Sequence, residues 1–267
     1  MWRFIALLLA LVAGVGTAIW YYRSPVAGGL PVRVAVRNDD RWIDDLQSRN
    51  PKDAERATAE VESRGTAALP LIRQTLQDDA ATEERKKAAL KACAILGVRA
   101  SEAIPDIAAL LSDAAYSAEA ALALSFMGSA AVPVLKDALN DDDPAVRKEA
   151  LRSLGKLRER ASIDPQVVIP PLITGLDDSE AEVRQVAVTY LGIVRDSPAK
   201  EVPALTNALA DEDASVRAAA ATALGAYGPA AASALPALRK ATKDQDEQVQ
   251  REAGRAIITI SDKRQGN

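Results

Sequence analysis

The sequence predicts an all-α solenoid of stacked antiparallel helix pairs, preceded by a single N-terminal transmembrane helix. Three observations carry this prediction. Six ten-residue strings share an aliphatic-Pro start and an Asp end; a second string recurs between them; and an uncharged apolar run opens the chain.

The Pro-led strings are "LPLIRQTLQD" from Leu69, "IPDIAALLSD" from Ile104, "VPVLKDALND" from Val132, "IPPLITGLDD" from Ile169, "VPALTNALAD" from Val202 and "LPALRKATKD" from Leu235. Proline suits the first turn of a helix, where its missing N–H costs nothing. The tenth-position Asp ends that helix and is placed to cap the next one. The second string is clearest in "VRKEALRSLG" from Val146, "VRQVAVTYLG" from Val183 and "VRAAAATALG" from Val216. "VQREAGRAII" from Val249, "AALKACAILG" from Ala88 and "EAALALSFMG" from Glu119 are weaker copies. Aliphatics at its first, fifth and ninth positions share one helical face. The fifth position is Ala in all six copies, which leaves room for a close neighbour, and the closing Gly suits a left-handed cap.

The prolines fall at 70, 105, 133, 170, 203 and 236, in steps of 35, 28, 37, 33 and 33. Such periods mark repeat arrays, in which one helix pair cannot bury its apolar face alone and must stack on its neighbours. With the Val-Arg helix taken as the first of each pair, the array holds about six pairs over residues 40–262. "DEQVQREAGRAIITI" is then a single capping helix before a polar tail, 263–267.

Phe4 to Tyr22 is an uncharged run of 19 residues, bracketed by Arg3 and Arg23 with Trp2 and Trp20-Tyr21-Tyr22 at its ends. As a helix it is long enough for a hydrocarbon core of roughly 30 Å, with aromatics where interfaces place them. Residues 1–23 read either as an uncleaved anchor or as a signal peptide cut near Gly16-Thr17-Ala18; the length and the aromatic flank favour the anchor. Pro and Gly in "SPVAGGLP" make residues 24–39 a linker. Arg23, Arg33 and Arg37 argue for a cytoplasmic body, whereas the short charged head before the apolar run is the layout of an export signal. The expectation is a single-pass membrane protein with an extracytoplasmic body.

Composition narrows the chemistry. There is no His, which removes the commonest general base and zinc ligand, and Cys93 is the one cysteine. The first 41 residues carry five Arg against Asp39 and Asp40, net +3, so the rest carries −7 of the total −4. An acidic body with few aromatics is a poor match for nucleic acid. The acidic clusters lack the spacing and central Gly of a calcium loop. No metal, no cofactor and no catalytic residue is expected.

"DDDPAVRKEALRSLG", "DSEAEVRQVAVTYLG" and "DEDASVRAAAATALG", each followed by a Pro-led helix, resemble HEAT-type repeats, most of all the short HEAT-like class named after phycobilisome lyases. The resemblance covers roughly residues 40 to 262. It implies a ladder in which Arg147, Arg184 and Arg217 bond acidic residues of the inter-helix turns, Asp178 and Asp211 among them. It also implies that the second helix of each pair lines the concave side, where a partner binds.

With the Pro-led helix as that second helix, the exposed positions are Arg73-Gln74, Ala108-Ala109, Lys136-Asp137, Ile173-Thr174, Thr206-Asn207 and Arg239-Lys240. The candidate protein-binding residues are thus Arg73, Lys136, Asp137, Thr206, Asn207, Arg239 and Lys240. Arg158 and Arg160 join them, because the 15-residue span from Gly155 to Pro170 reads as a loop insertion. The expected function is a membrane-tethered, non-catalytic scaffold for a protein partner. A HEAT-fold enzyme such as a bilin lyase, and a purely structural envelope component, are the alternatives.

Overall fold

The computed structural model describes residues 40–160 and 163–262. These residues form α-helices and short 3-10 turns, with no strand among them: α1 (Arg41–Asp45), α2 (Pro51–Arg64), α3 (Leu69–Gln77), α4 (Glu83–Leu96), α5 (Ile104–Ala108), α6 (Ser117–Leu124), α7 (Val132–Ala138), α8 (Pro144–Arg160), α9 (Pro165–Thr174), α10 (Ala181–Val194), α11 (Pro198–Ala208), α12 (Ala214–Ala226), α13 (Leu235–Ala241) and α14 (Glu247–Ser261). None of them is long and apolar enough to cross a membrane. Phe4 to Tyr22 lies outside the described residues.

The tenth-position Asp makes the same turn in every copy. Asp78, Asp113, Asp141, Asp178, Asp211 and Asp244 each accept, through Oδ1, the backbone N–H two residues on, at 2.8–2.9 Å. This side chain–backbone bond closes the turn between a Pro-led helix and the Val-Arg helix that follows. A second residue then caps the new helix: Thr82 for α4, Asp213 for α12 and Asp246 for α14.

Where the tight turn lies sets the repeat unit. Each Pro-led helix closes on the Val-Arg helix after it, as α3 on α4, α7 on α8, α11 on α12 and α13 on α14. The connection from a Val-Arg helix to the next Pro-led helix runs through a 3-10 segment at Gly97–Ala103, Gly128–Ala131 and Gly228–Ala234. The expected frame is therefore shifted by half a unit. The Pro-led helix comes first, the Val-Arg helix second, and α14 is the second helix of the last pair rather than a lone cap.

Two columns of side chains make the core. The fourth position of the Pro-led strings (Ile72, Ile107, Leu135, Leu172, Leu205, Leu238) and the fifth of the Val-Arg strings (Ala92, Ala123, Ala150, Ala187, Ala220, Ala253) are completely buried. Burying a Leu or Ile side chain stabilises by about 1.5–3 kcal/mol, so the first column alone explains why the array stacks. The alanines set the distance at which the helices meet.

Prolines and glycines depart from expectation in instructive ways. Pro70, Pro105, Pro133 and Pro236 stand in the first turn of their helices. Pro170 and Pro203 instead lie inside α9 and α11, because Pro165 and Pro198 start those helices five residues earlier. Gly97 ends α4 at φ +57 and Gly128 opens the 3-10 segment after α6 at φ +65, where a side chain would be strained. Gly155, Gly192 and Gly225, expected as left-handed caps, are helical, and α8, α10 and α12 run on past them. A Cβ on Gly155 would fall inside the ring of Tyr190; on Gly192 it would lie 2.8 Å from Ala223 Cβ, and on Gly225 3.2 Å from Ala256 Cα. Gly192 and Gly225 thus bring successive Val-Arg helices into backbone contact, and Gly155 admits the Tyr190 ring.

The two rows are consequently packed unequally. Consecutive Val-Arg helices α8, α10, α12 and α14 lie in extensive contact, whereas consecutive Pro-led helices touch little. We call the closely packed Val-Arg helices the inner row and the Pro-led helices the outer row.

Candidate functional site

The ladder runs along the edge formed by the turns. Arg147 donates through Nε and Nη2 to both carboxylate oxygens of Asp178, each at 2.8 Å. Arg184 does the same to Asp211 at 2.8 Å, and Arg217 to Asp244 at 2.9 and 2.8 Å. In each case Nη1 also donates to two carbonyls of the Arg's own turn: Asp141 and Asp142, Asp178 and Ser179, Asp211 and Glu212. One guanidinium thus ties its own turn to the next repeat's turn, using the fork geometry that Lys lacks.

The ladder's carboxylates are tuned by these bonds. The Arg147 hydrogen bond holds Asp178 below the usual carboxylate range, aided by the Glu180 N–H. The Arg217 hydrogen bond does the same for Asp244. Asp244 was missed among the ladder residues, although it occupies the same tenth position as Asp178 and Asp211. The rungs stop toward the N-terminus. Ala89 and Ala120 stand in the Arg column of α4 and α6, and Asp141 instead accepts from Ser112 Oγ at 3.1 Å.

Most of the expected partner-binding residues lie on the outer row. Arg73 sits beside a groove of about 840 Å³ that Thr66, Pro70, Gln74, Gln77 and Glu102 help to line. Its Nε donates to Asp106 at 2.6 Å, and Gln77 donates to the same carboxylate. Lys136, Asp137, Asn207, Arg239 and Lys240 are exposed, and Thr206 is half-buried with its hydroxyl donating to the Val202 carbonyl. They project from Pro-led helices, which are the first helix of each pair rather than the second.

Arg158 and Arg160 are not in a loop. Leu157, buried, continues the apolar stripe of Ala150 and Leu154, and this keeps α8 helical through Arg160. Arg158 forks onto Asp196, its Nη2 donating at 2.8 Å, as a further inter-repeat tie. Arg160 donates to Ser125 Oγ and lies 4.1 Å above the ring of Phe126.

The inner row carries what the outer one lacks. Among the described residues the exposed large hydrophobics are Val98, Leu122, Phe126, Ile193 and Ile258. All five belong to Val-Arg helices or the step just past one. Leu122 lies on α6, and Phe126, four residues on, lies in the turn that follows it. Lys148, Arg152, Lys156 and Arg160 repeat every four residues along α8, the first three half-buried and Arg160 exposed. Gln185, Thr189 and Ile193 do so on α10. Of the α8 series, only Lys148 and Arg152 form an i, i+4 pair within a clear copy of the second string; Lys156 and Arg160 lie past its closing Gly155.

Chemistry other than binding has little to work with. The Cys93 thiol is fully buried, and burial pushes its pKa up to about 12. Among the described residues no group of three or more Cys, Asp or Glu is arranged to hold a metal ion.

Comparison with known proteins agrees with this architecture. The family model described as HEAT repeats matches residues 107–165 and 169–264. No curated protein matches the sequence. Among solved structures, importin beta is similar at 13% identity over 82% of this chain and 33% of that one, with a TM-score of 0.58. A mutant of Kap121p is similar at 14% identity over 82% and 27%, with a TM-score of 0.57. The CpcE–CpcF complex of phycocyanin lyase from Nostoc sp. gives 23% identity over 58% and 98%, with a TM-score of 0.49. The chain spans about a third of importin beta, and at these identities the likeness is one of fold. With a family model matching more than half its length, the chain belongs to the HEAT-repeat family.

Proposed function

We propose that this chain is a non-catalytic scaffold that captures a protein partner on its inner row and is held at a membrane by Phe4 to Tyr22. One observation carries the choice of face: among the described residues the exposed large hydrophobics lie on the Val-Arg helices or just past their ends, and none lies on a Pro-led helix. Apolar anchors within a polar surround are what a protein interface needs. The uncharged, aromatic-flanked run at the start of the chain supports the tether. The short charged head before it supports an extracytoplasmic body.

Photo-crosslinking in intact membranes tests this reading. A crosslinker at Thr189, on the inner row, is expected to capture the same protein as one at Thr222 on the neighbouring helix. A crosslinker at Asn207, on the outer row, is expected to capture none. Capture from Asn207 alone, or of lipid or pigment alone, refutes the reading. Deleting Phe4 to Tyr22 is expected to release the chain from the membrane fraction. A reporter active only in the cytoplasm, fused after Asn267, is expected to stay silent.

A further inference from the structure

We propose that the α6–α8 stretch of the inner row binds an acidic peptide segment bearing a bulky apolar side chain. The inference rests on the inner row being the recognition face, and it names the chemistry of the partner there.

The charge on α8 runs against the rest of the body. Beyond Arg41 the chain is net −7. Yet α8 carries half-buried Lys148, Arg152 and Lys156 and exposed Arg160 against Glu149 and Glu159. Four cations spaced by one helical turn span about 18 Å, the reach of roughly six extended residues. Lys148 bonds Glu182 at 2.7 Å, a carboxylate 78% exposed, and Arg152 bonds Glu149 within its own helix. The Lys148 pair lies at the surface, contributes little and exchanges readily for a better-placed acid. Lys156 pairs with no carboxylate among the described residues.

The apolar half of the site lies beside this stripe. Ser153 Oγ donates to the Ala121 carbonyl at 2.7 Å, and Arg160 lies over Phe126, so α6 and α8 are in direct register. Phe126 remains 38% exposed under that guanidinium and Leu122 39% exposed one turn earlier. A side chain laid on Leu122 and Phe126 places its flanking carboxylates over Arg152, Lys156 and Arg160. Nucleic acid fits less well: the stripe is one helix long and the surrounding body repels phosphates.

The test uses the full chain in non-ionic detergent and a fluorescein-labelled twelve-residue peptide of Asp and Glu with one Leu and one Phe. The counter-probes are the same peptide with Lys in place of every acid, and a twelve-nucleotide single strand. The acidic peptide is expected to bind about tenfold or more tighter than either, and to weaken as salt rises. Lys156→Glu is expected to weaken it about tenfold, and Phe126→Ser several-fold. The outer-row pair Arg239→Glu with Lys240→Glu should leave affinity within about twofold. Lys156→Gln, which removes charge without adding any, gives an intermediate loss, and an unchanged thermal melt shows that the variants fold. Equal binding of the Lys peptide, tighter binding of the oligonucleotide, no binding of the acidic peptide, or an equal loss in the outer-row variant overturns the proposal. If the acidic peptide fails while Thr189 and Thr222 still capture one protein, the partner chemistry is wrong and the scaffold reading stands.

Discussion

Arg184 and Asp211 face each other across two successive repeats, joined by two parallel N–H···O bonds of 2.8 Å, with the Arg side chain 7% exposed and the Asp 10%. Arg184→Ala breaks both bonds and the two to the carbonyls of Asp178 and Ser179. Breaking a largely buried pair by removing one partner costs about 3 kcal/mol. Arg184→Lys keeps the charge but not the fork, and is expected to lose about half as much. Denaturant midpoints measure both, and amide exchange should rise first around Asp211 to Asp213. Equal stability of the Lys variant and the parent would show that charge alone holds the rung.

Acid should loosen the ladder in a defined window. Asp178 and Asp244 have folded pKa values below the usual 3.9 because Arg147 and Arg217 hydrogen-bond their charged forms. Above the unfolded pKa their stabilisation is complete. Below it the unfolded chain binds more protons, and stability falls until the folded groups protonate too. Denaturant midpoints are thus expected to be insensitive to these groups from pH 7 to about 5 and to drop below about pH 4. Arg217→Gln returns Asp244 toward its ordinary value, so the variant starts less stable and loses less on acidification. Parallel acid slopes for variant and parent would contradict this account.

Gly155 should not tolerate even a methyl group. Its Cβ would enter the Tyr190 ring of the next inner helix, and overpacking of this kind costs about 1–3 kcal/mol. Tyr190→Ala vacates that volume, so the double variant Gly155→Ala with Tyr190→Ala is expected to recover part of the loss that the two single changes sum to. A strictly additive cycle, read from denaturant midpoints, would mean that the clash relaxes elsewhere. Gly254 is the contrast: nothing lies within 4 Å of its added Cβ. Gly254→Ala should stabilise α14 by several tenths of a kcal/mol or more through helix propensity.

Much of this architecture was legible because each repeated residue does the same physical job in every copy. The fifth-position alanines are all buried, and the tenth-position aspartates all close a turn. The repeat unit was not legible from periodicity, since a periodic string reads alike from any starting point. Only the short Asp turn, as between α11 and α12, shows which two helices form a hairpin. That half-unit ambiguity put Thr206, Asn207, Arg239 and Lys240 on the second helix of a pair rather than the first. Gly155 and Gly192 look like caps in sequence, because a Gly after Leu serves either to end a helix or to admit a neighbour. Nothing local distinguishes the two; the Tyr190 ring and Ala223 do. Leu122 and Phe126 were hidden by a weak copy of the string, where the absent Arg drew attention away from the apolar pair.

Cys93 offers a built-in reporter for opening of the array. It sits on α4, completely buried, with its thiol pKa pushed up to about 12 by desolvation. A thiol held protonated and away from solvent does not react, since the thiolate is the nucleophile. In the folded chain an aromatic disulfide reagent at pH 8 is therefore expected to label Cys93 only through transient opening. α4 packs on α2, α3 and α6, where the Arg column is empty, so the opening seen by Cys93 belongs to the unladdered half. Arg217→Ala, in the laddered half, should leave the labelling rate unchanged under native conditions if repeats open locally. Ala92→Gly, beside the thiol and in the buried alanine column, should raise it about fivefold, the effect of roughly 1 kcal/mol. A comparable acceleration by Arg217→Ala would mean that the two halves unfold as one cooperative unit.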